Sequence, residues 1–162
     1  MNSIILCGFM GAGKTSVGKE LANRHNLKFI ETDEYIEKKQ NMTIKEIFEK
    51  YGEDYFRDLE NEVTSEISNS ENCVVSTGGG LMTYKRNSDL LIDNIVIFLD
   101  ASFEMICKRL ENDTTRPLFQ NIENAKKLYD KRKNIYKDVS NLTIDADCSI
   151  EECVKKIEKL IF

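Results

Sequence analysis

Short apolar runs alternate along this chain with longer stretches in which apolar residues recur every three or four positions. The runs are Ile4–Cys7, Lys28–Ile30, Cys73–Ser76, Ile95–Leu99 and Leu142–Ile144. Each is brief, continuous and rich in β-branched residues, which predicts a buried strand. Between the runs the period changes. Val17, Leu21 and Ala22 share one helical face, with Glu20, Asn23 and Arg24 on the other. Thr43-Ile44-Lys45-Glu46 reads as a capping box opening a helix over 43–51, with Ile47, Phe48 and Tyr51 apolar. Gly52 breaks that helix, and another begins near Glu53 and carries Tyr55, Phe56, Leu59, Val63 and Ile67. Helical spacing also covers Phe103–Leu110 and Ala125–Lys137. A last helix opens at Ser149, with Glu152 three residues on and Cys153, Ile157, Leu160 and Ile161 on one face. Alternating strand and helix predicts an α/β fold, a mostly parallel five-stranded sheet between two helical layers. In such folds ligands sit beyond the carboxyl ends of the strands, so functional residues belong immediately after each run.

Directly after the first run stands Gly8-Phe9-Met10-Gly11-Ala12-Gly13-Lys14-Thr15. It matches Gly-x-x-x-x-Gly-Lys-Thr between a strand and a helix, the phosphate-binding P-loop in the context that motif requires. Its glycines let backbone N–H groups converge on one anion, and the helix N-terminus adds partial positive charge. Lys14 can reach β- and γ-phosphates, and the Thr15 hydroxyl can ligate Mg²⁺. After the second run comes Glu31-Thr32-Asp33-Glu34. An acid here can take a proton from a substrate hydroxyl or order metal-bound water, and Thr32 or Asp33 can equally serve as a helix cap. Thr77-Gly78-Gly79-Gly80 follows the third run, open to close approach by a ligand or to reading as a flexible turn. Asp100 ends the fourth run and imitates a metal-binding carboxylate; we read it instead as a cap for the helix opening near Ser102. Asn112-Asp113-Thr114-Thr115-Arg116-Pro117-Leu118 has neither period and fits a mobile loop over phosphates or a plain surface loop.

At 162 residues the chain fits one domain. No run reaches the length of a membrane span, and the apolar start runs straight into the P-loop without a basic leader, so the expectation is a cytoplasmic protein without a membrane partner. A net charge of −5 speaks against a nucleic-acid surface. Five cysteines (Cys7, Cys73, Cys107, Cys148, Cys153) lack a Cys-x-x-Cys pair and read as reduced, structural thiols. His25, the one histidine, suits the surface or a helix end, which leaves histidine-based acid–base chemistry without a residue. Arginine is scarce among the 23 basic residues, and it is the side chain suited to bidentate carboxylate and phosphate contacts.

Taken in order, these segments resemble the shikimate kinases, P-loop kinases of the nucleoside-monophosphate-kinase type. The likeness spans essentially the whole chain. It is carried by residues 8–18, by Phe29-Ile30-Glu31-Thr32-Asp33-Glu34-Tyr35-Ile36, by Gly52-Glu53, Phe56-Arg57 and Glu60, and by Thr77-Gly78-Gly79-Gly80. Arg116-Pro117-Leu118 resembles the family's lid signature, and Tyr129, Arg132 and Tyr136 its last substrate segment. The resemblance implies one P-loop-type domain over 1–162, a mobile lid near 111–123 and substrate-binding helices near 33–61. It implies transfer of the ATP γ-phosphoryl group to the 3-hydroxyl of shikimate, with Mg²⁺ as cofactor, in a chain acting as a monomer. Gly11, Ala12, Gly13, Lys14, Thr15 and Ser16 would hold ATP, with Lys14 on the transferred group and Thr15 on the metal. Asp33 would orient or deprotonate the attacking hydroxyl. Arg57 and Arg132 would grip the shikimate carboxylate, with Gly79 donating from its backbone. Arg116 would neutralise phosphoryl oxygens from the lid, and Arg109 would lie against adenine. Lys14, Asp33 and Arg116 are thus the implied catalytic set. One position departs: Glu31 stands where the family commonly has aspartate, linked to the metal through water. The competing readings are a related small-molecule kinase such as a gluconate kinase, a binding-only relative, or a GTP-dependent switch, for which no Asn-Lys-x-Asp element is present.

Overall fold

The computed structural model describes residues 1–111 and 121–162. Arg116, and with it most of the expected lid, lies outside the described residues. Five strands, β1 (Ile4–Cys7), β2 (Lys28–Glu31), β3 (Cys73–Ser76), β4 (Ile95–Asp100) and β5 (Leu142–Asp145), form one sheet in the order β2-β3-β1-β4-β5. Every pairing is parallel; Ile4 sits opposite Val74 on one side and Ile95 on the other. All five expected strands are present, three of them one residue longer than the apolar run alone indicates. The central strands β1 and β3 are buried at every position, whereas the edges β2 and β5 are partly exposed. That contrast explains the sequence: a strand covered on both faces needs an unbroken apolar run, and an edge strand does not.

Eight helices accompany the sheet among the described residues: α1 (Lys14–Arg24), α2 (Thr32–Gln40), α3 (Ile44–Tyr51), α4 (Glu53–Ser68), α5 (Lys85–Leu90), α6 (Phe103–Leu110), α7 (Ile122–Val139) and α8 (Ile150–Ile161). α1 and α8 pack against each other, and α1 also lies against β3. α7 covers β4, and α4 packs on α2, α3 and α5, which makes three layers. Both capping serines and threonines expected from the sequence are engaged. Thr43 Oγ1 accepts from the Glu46 amide at 3.1 Å, and Ser149 Oγ accepts from Glu152 at 3.2 Å. Gly52 (φ 84°) closes α3 and opens α4 in one residue. The helical period leaves α2 and α5 unannounced, since α2 buries only Thr32 and Ile36 and α5 only Asn87.

The expected cap at Asp100 is corrected. Ser102 caps α6 by accepting from the Met105 amide, while Asp100 is the last residue of β4, opposite Asp145. His25 ends α1, stacks on Phe162 at 3.7 Å and meets Glu158 at 2.9 Å. All five cysteines are free thiols, and burial pushes Cys7 up to about 12, the behaviour of a small core hydrophobe. No described helix is long and apolar enough to cross a membrane.

From β1 the chain moves outward to β2, back to β3, and then past β1 to β4 and β5. The two directions part at the carboxyl ends of β1 and β3, which is where a crevice opens. Beneath it, Asn94 lengthens the β1–β4 ladder: its Oδ1 accepts from the buried Ser3 amide at 3.1 Å, next to the Ile95 amide bond to Ser3 O. Asn94→Ala strands that amide, so a stability loss of about 1–3 kcal/mol is expected in urea unfolding. A change within error would show that water replaces the side chain.

Candidate functional site

A cavity of about 430 Å³ occupies that crevice, walled by the loop from Met10 to Ser16, Glu31, Asp33, Ser76–Gly79, Arg109 and Ile150. The floor is the P-loop. Gly13, at φ 98°, occupies the left-handed region while serving as the N-cap of α1, a position that disfavours any side chain. No side chain caps α1, and its first turn holds no acid. Every other described helix of eight residues or more carries Asp or Glu in its first turn. The partial positive charge at α1 is therefore not neutralised by the protein itself and is available to an anion. Lys14 is buried at the loop's centre, its Nζ donating to Gly8 O at 2.6 Å and Phe9 O at 3.1 Å.

Beside the loop, the Thr15 hydroxyl donates to Glu31 Oε1 at 3.2 Å. This hard-oxygen pair lines the cavity. The cap reading of Thr32 or Asp33 fails, because α2 has no side-chain cap and Thr32 Oγ1 is taken by the Gly78 amide at 2.9 Å. Asp33 therefore points at the cavity rather than at its own helix.

The glycine run explains itself through three side chains. A Cβ on Gly78 would lie 2.6 Å from Asp33 Oδ1, one on Gly79 3.3 Å from Arg132 Nη1, and one on Gly80 2.5 Å from Arg57 Nη1. So the run admits side chains of α2, α7 and α4 against bare backbone, as well as opening the main chain to a ligand. The flexible-turn reading does not survive these contacts.

Arg57 is held tightly. Its Nη1 pairs with Glu60 at 2.7 Å, its Nη2 with Glu53 at 3.3 Å, and its plane lies over the Phe56 and Tyr84 rings. Burial works against the Arg57 charge, but Glu60 outweighs burial and holds the guanidinium above its ordinary range. Glu60 itself is almost wholly buried (1%), and burial pushes its carboxyl up, with the Arg57 charge only partly offsetting this. Asp33 and Arg132 also act on Glu60, so the four groups form one electrostatic cluster.

Arg109 bridges two walls. Nη1 donates to Gly11 O and Ala12 O, both at 3.2 Å, and Nη2 to Ala146 O at 2.8 Å and Cys148 O at 3.0 Å. These bonds occupy the N–H edge and leave the planar face to whatever enters beside Ile150.

Of the expected site residues, Gly11, Gly13, Lys14, Thr15, Ser16, Asp33, Gly79 and Arg109 line the cavity. Ala12 is packed behind it, and Arg57 and Arg132 stand at the glycine rim. Sequence reasoning singled out Glu60 only as part of a pattern and missed the contributions of Ala146, Cys148 and Ile150. No signal marks a carbonyl that receives an arginine from 37 residues away, as Ala146 does.

Comparison with known proteins gives one answer. The shikimate kinase family profile matches residues 10–161. A shikimate kinase of Sulfurihydrogenibium sp. is 46% identical, covering 98% of this chain and 99% of its own length. The solved shikimate kinase of Acinetobacter baumannii in complex with shikimate superposes with a TM-score of 0.93 at 36% identity, over 99% of this chain and 93% of that one. A gluconokinase from Sinorhizobium meliloti reaches 0.62 at 18% identity over 96% of this chain and 88% of that one, a likeness of fold alone.

The buried Glu60 yields a pH test. A carboxyl held above its ordinary 4.5 favours the folded chain when protonated. That contribution is complete below pH 4.5 and is lost as pH rises through the raised value, leaving a burden at pH 7. Glu60→Gln mimics the protonated form. In urea unfolding it should be at least as stable as the parent at pH 7 and gain nothing at pH 4. A loss above about 1 kcal/mol at pH 7 would mean that the Arg57 pair outweighs the burial cost.

Proposed function

The chain belongs to the shikimate kinase family and is an ATP-dependent phosphotransferase that phosphorylates shikimate; within that activity we propose the following division of labour among its residues. The triphosphate lies over the P-loop, its oxygens meeting the amides of Gly11 to Ser16 at the uncapped end of α1. Lys14 leaves the loop carbonyls for the transferred phosphoryl group. Shikimate lies along the glycine rim, its carboxylate between Arg57 and Arg132 with the Gly79 amide, and its 3-hydroxyl toward Asp33. The observation that supports this most is the run Gly78–Gly80, which brings Asp33, Arg132 and Arg57 against consecutive residues beside the P-loop. Two cations and one carboxylate in that order suit an acid bearing hydroxyls.

Phosphoryl transfer needs alignment and charge neutralisation more than covalent help. Asp33 accepts a hydrogen bond from the attacking hydroxyl and is the acceptor within reach of its proton. Lys14 balances charge on the transferred group, as does Arg116, which lies outside the described residues. Arg109 offers adenine a flat cationic face, because its N–H edge is already committed to four carbonyls.

Mg²⁺ fits the oxygen pair Thr15–Glu31. Thr15 donates its proton to Glu31, which leaves the hydroxyl lone pairs for a cation. Among the described residues no cluster of three or more His, Cys, Asp or Glu assembles, so the metal would be held mainly by nucleotide phosphates and water. When bound it would supply charge neutralisation across the β- and γ-phosphates. Glutamate in the place of aspartate reaches Thr15 directly, which supports a role for Glu31 beside the metal. The proposed site needs no residue from a second chain, and we read the protein as a cytoplasmic monomer acting on small-molecule substrates.

Coupled ADP release tests the reading. Release should depend on shikimate and stay at background with gluconate; equal rates with both would favour the gluconate-kinase reading. Lys14→Ala should lower kcat by roughly 10²–10³-fold with shikimate binding kept, and normal turnover would remove its assigned role. Arg57→Ala should weaken shikimate binding in calorimetry by about 2–5 kcal/mol. Gly80→Ala, which leaves every functional group present but drives Arg57 off its seat, should raise the shikimate KM about tenfold, or 1.4 kcal/mol. An unchanged shikimate affinity in Arg57→Ala would end the carboxylate assignment.

A further inference from the structure

Tyr136 has no part in the division of labour above, yet it sits directly beneath it. The side chain is 1% exposed, and its ring packs on Phe98 of β4 with centroids 5.4 Å apart. Its hydroxyl donates to Gly79 O at 2.5 Å. Arg132 lies one turn earlier on α7, on the same face, and its charge acts on the Tyr136 phenol. Gly79 spans both: a Cβ there would be 3.3 Å from Arg132 Nη1 and 3.8 Å from Tyr136 Oη. The Tyr136 hydroxyl and the Arg132 guanidinium thus converge on Gly79, the hydroxyl donating to its carbonyl. Burial pushes the phenol far above its usual range, with Arg132 acting in the opposite sense, so the hydroxyl remains a donor throughout the working pH range.

We propose that Tyr136 is a positioning residue for the substrate carboxylate, its hydroxyl fixing the Gly79 main chain and the Arg132 guanidinium at the separation that lets both donate to one carboxylate. The inference rests on the carboxylate reading of Arg57, Arg132 and Gly79. Pinning the Gly79 carbonyl removes the rotation that the glycine backbone would otherwise allow. The ring alone supplies the packing on Phe98, so the hydroxyl is separable from the structural part of the residue.

Tyr136→Phe keeps the ring and removes the bond to the Gly79 carbonyl. With shikimate, KM should rise about tenfold, while kcat and the KM for ATP stay within about twofold and the melting temperature stays within a few degrees. A second substrate, the neutral analogue with a hydroxymethyl group replacing the carboxylate, separates positioning from packing. Wild-type enzyme should use it far less well than the acid, and Tyr136→Phe should handle it no worse than wild type. An unchanged KM for shikimate overturns the proposal. So does an equal penalty on acid and analogue, or a parallel rise in the KM for ATP, since either marks a general packing defect. Failure of wild-type enzyme to distinguish acid from analogue strikes the carboxylate reading itself, and this inference falls with it.

Discussion

Three side chains from three different helices rest against backbone that carries no Cβ. Asp33 and Arg57 occupy space that a methyl group on Gly78 or Gly80 would fill, and Arg132 lies in tight contact with where one on Gly79 would stand. The rim of the sheet depends on that arrangement. Charged groups brought this close attract or repel strongly, and their positions must be fixed by something stiffer than the side chains themselves. Here the stiffness comes from the sheet. Thr77, which precedes the run, is anchored twice to Leu6 O, by its amide at 3.1 Å and its hydroxyl at 2.9 Å. The Gly78 amide is then held by Thr32 and the Gly79 carbonyl by Tyr136. A run that composition alone would mark as loose is hydrogen-bonded at consecutive residues.

The same rim shows why an acidic chain can bind two anionic substrates. The net charge of −5 is spread over a solvated surface laced with Lys–Glu and Lys–Asp pairs at helical spacing, such as Lys38–Glu34 and Lys85–Asp89. Such exposed pairs contribute little to stability and mainly keep the surface hydrated. The cations with fixed geometry are arginines and the buried Lys14. Among the described residues Arg57 and Arg109 are tied by multiple bonds at the site, as Arg24 is on the surface. Planar, multidentate groups are placed where direction matters, and flexible point charges where it does not.

How far the sequence could be read follows from the range of the forces involved. The P-loop, the five strands and the Thr43 and Ser149 caps are local: each is written in fewer than a dozen consecutive residues, and each is found where expected. No helical period marks α2, because its face contributes so little to the core; only the cap reading of Thr32 or Asp33 and the family likeness point to a helix there. Asp100 misled because an acid two residues ahead of a helix resembles a cap, while Ser102, the actual cap, is equally suited by type. In the sequence the glycine run suggests close approach by a ligand; the groups that lie against it in the structure are side chains from positions 33, 57 and 132, which only the family likeness links to it. The bonds of Arg109 to Ala146 and Cys148 lie beyond any local pattern, since a backbone carbonyl has no identity in sequence.

Both nucleotide-side cations are already satisfied by the protein's own carbonyls. Lys14 is bonded to Gly8 O and Phe9 O, and Arg109 to Gly11, Ala12, Ala146 and Cys148. A buried ammonium without partners would shed its proton or pull in water, and a loop of glycines without internal bonds would lose its shape. Bonding Lys14 to the loop avoids both costs. The two cations then differ in what binding asks of them. In the proposed division of labour Lys14 exchanges carbonyls for phosphate oxygens, a gain because a charged acceptor forms the stronger bond. Arg109 need exchange nothing, because its face is open while its edge stays bonded. One cation is thus a moving part and the other a fixed wall, and the difference follows from which atoms of each side chain the carbonyls have taken.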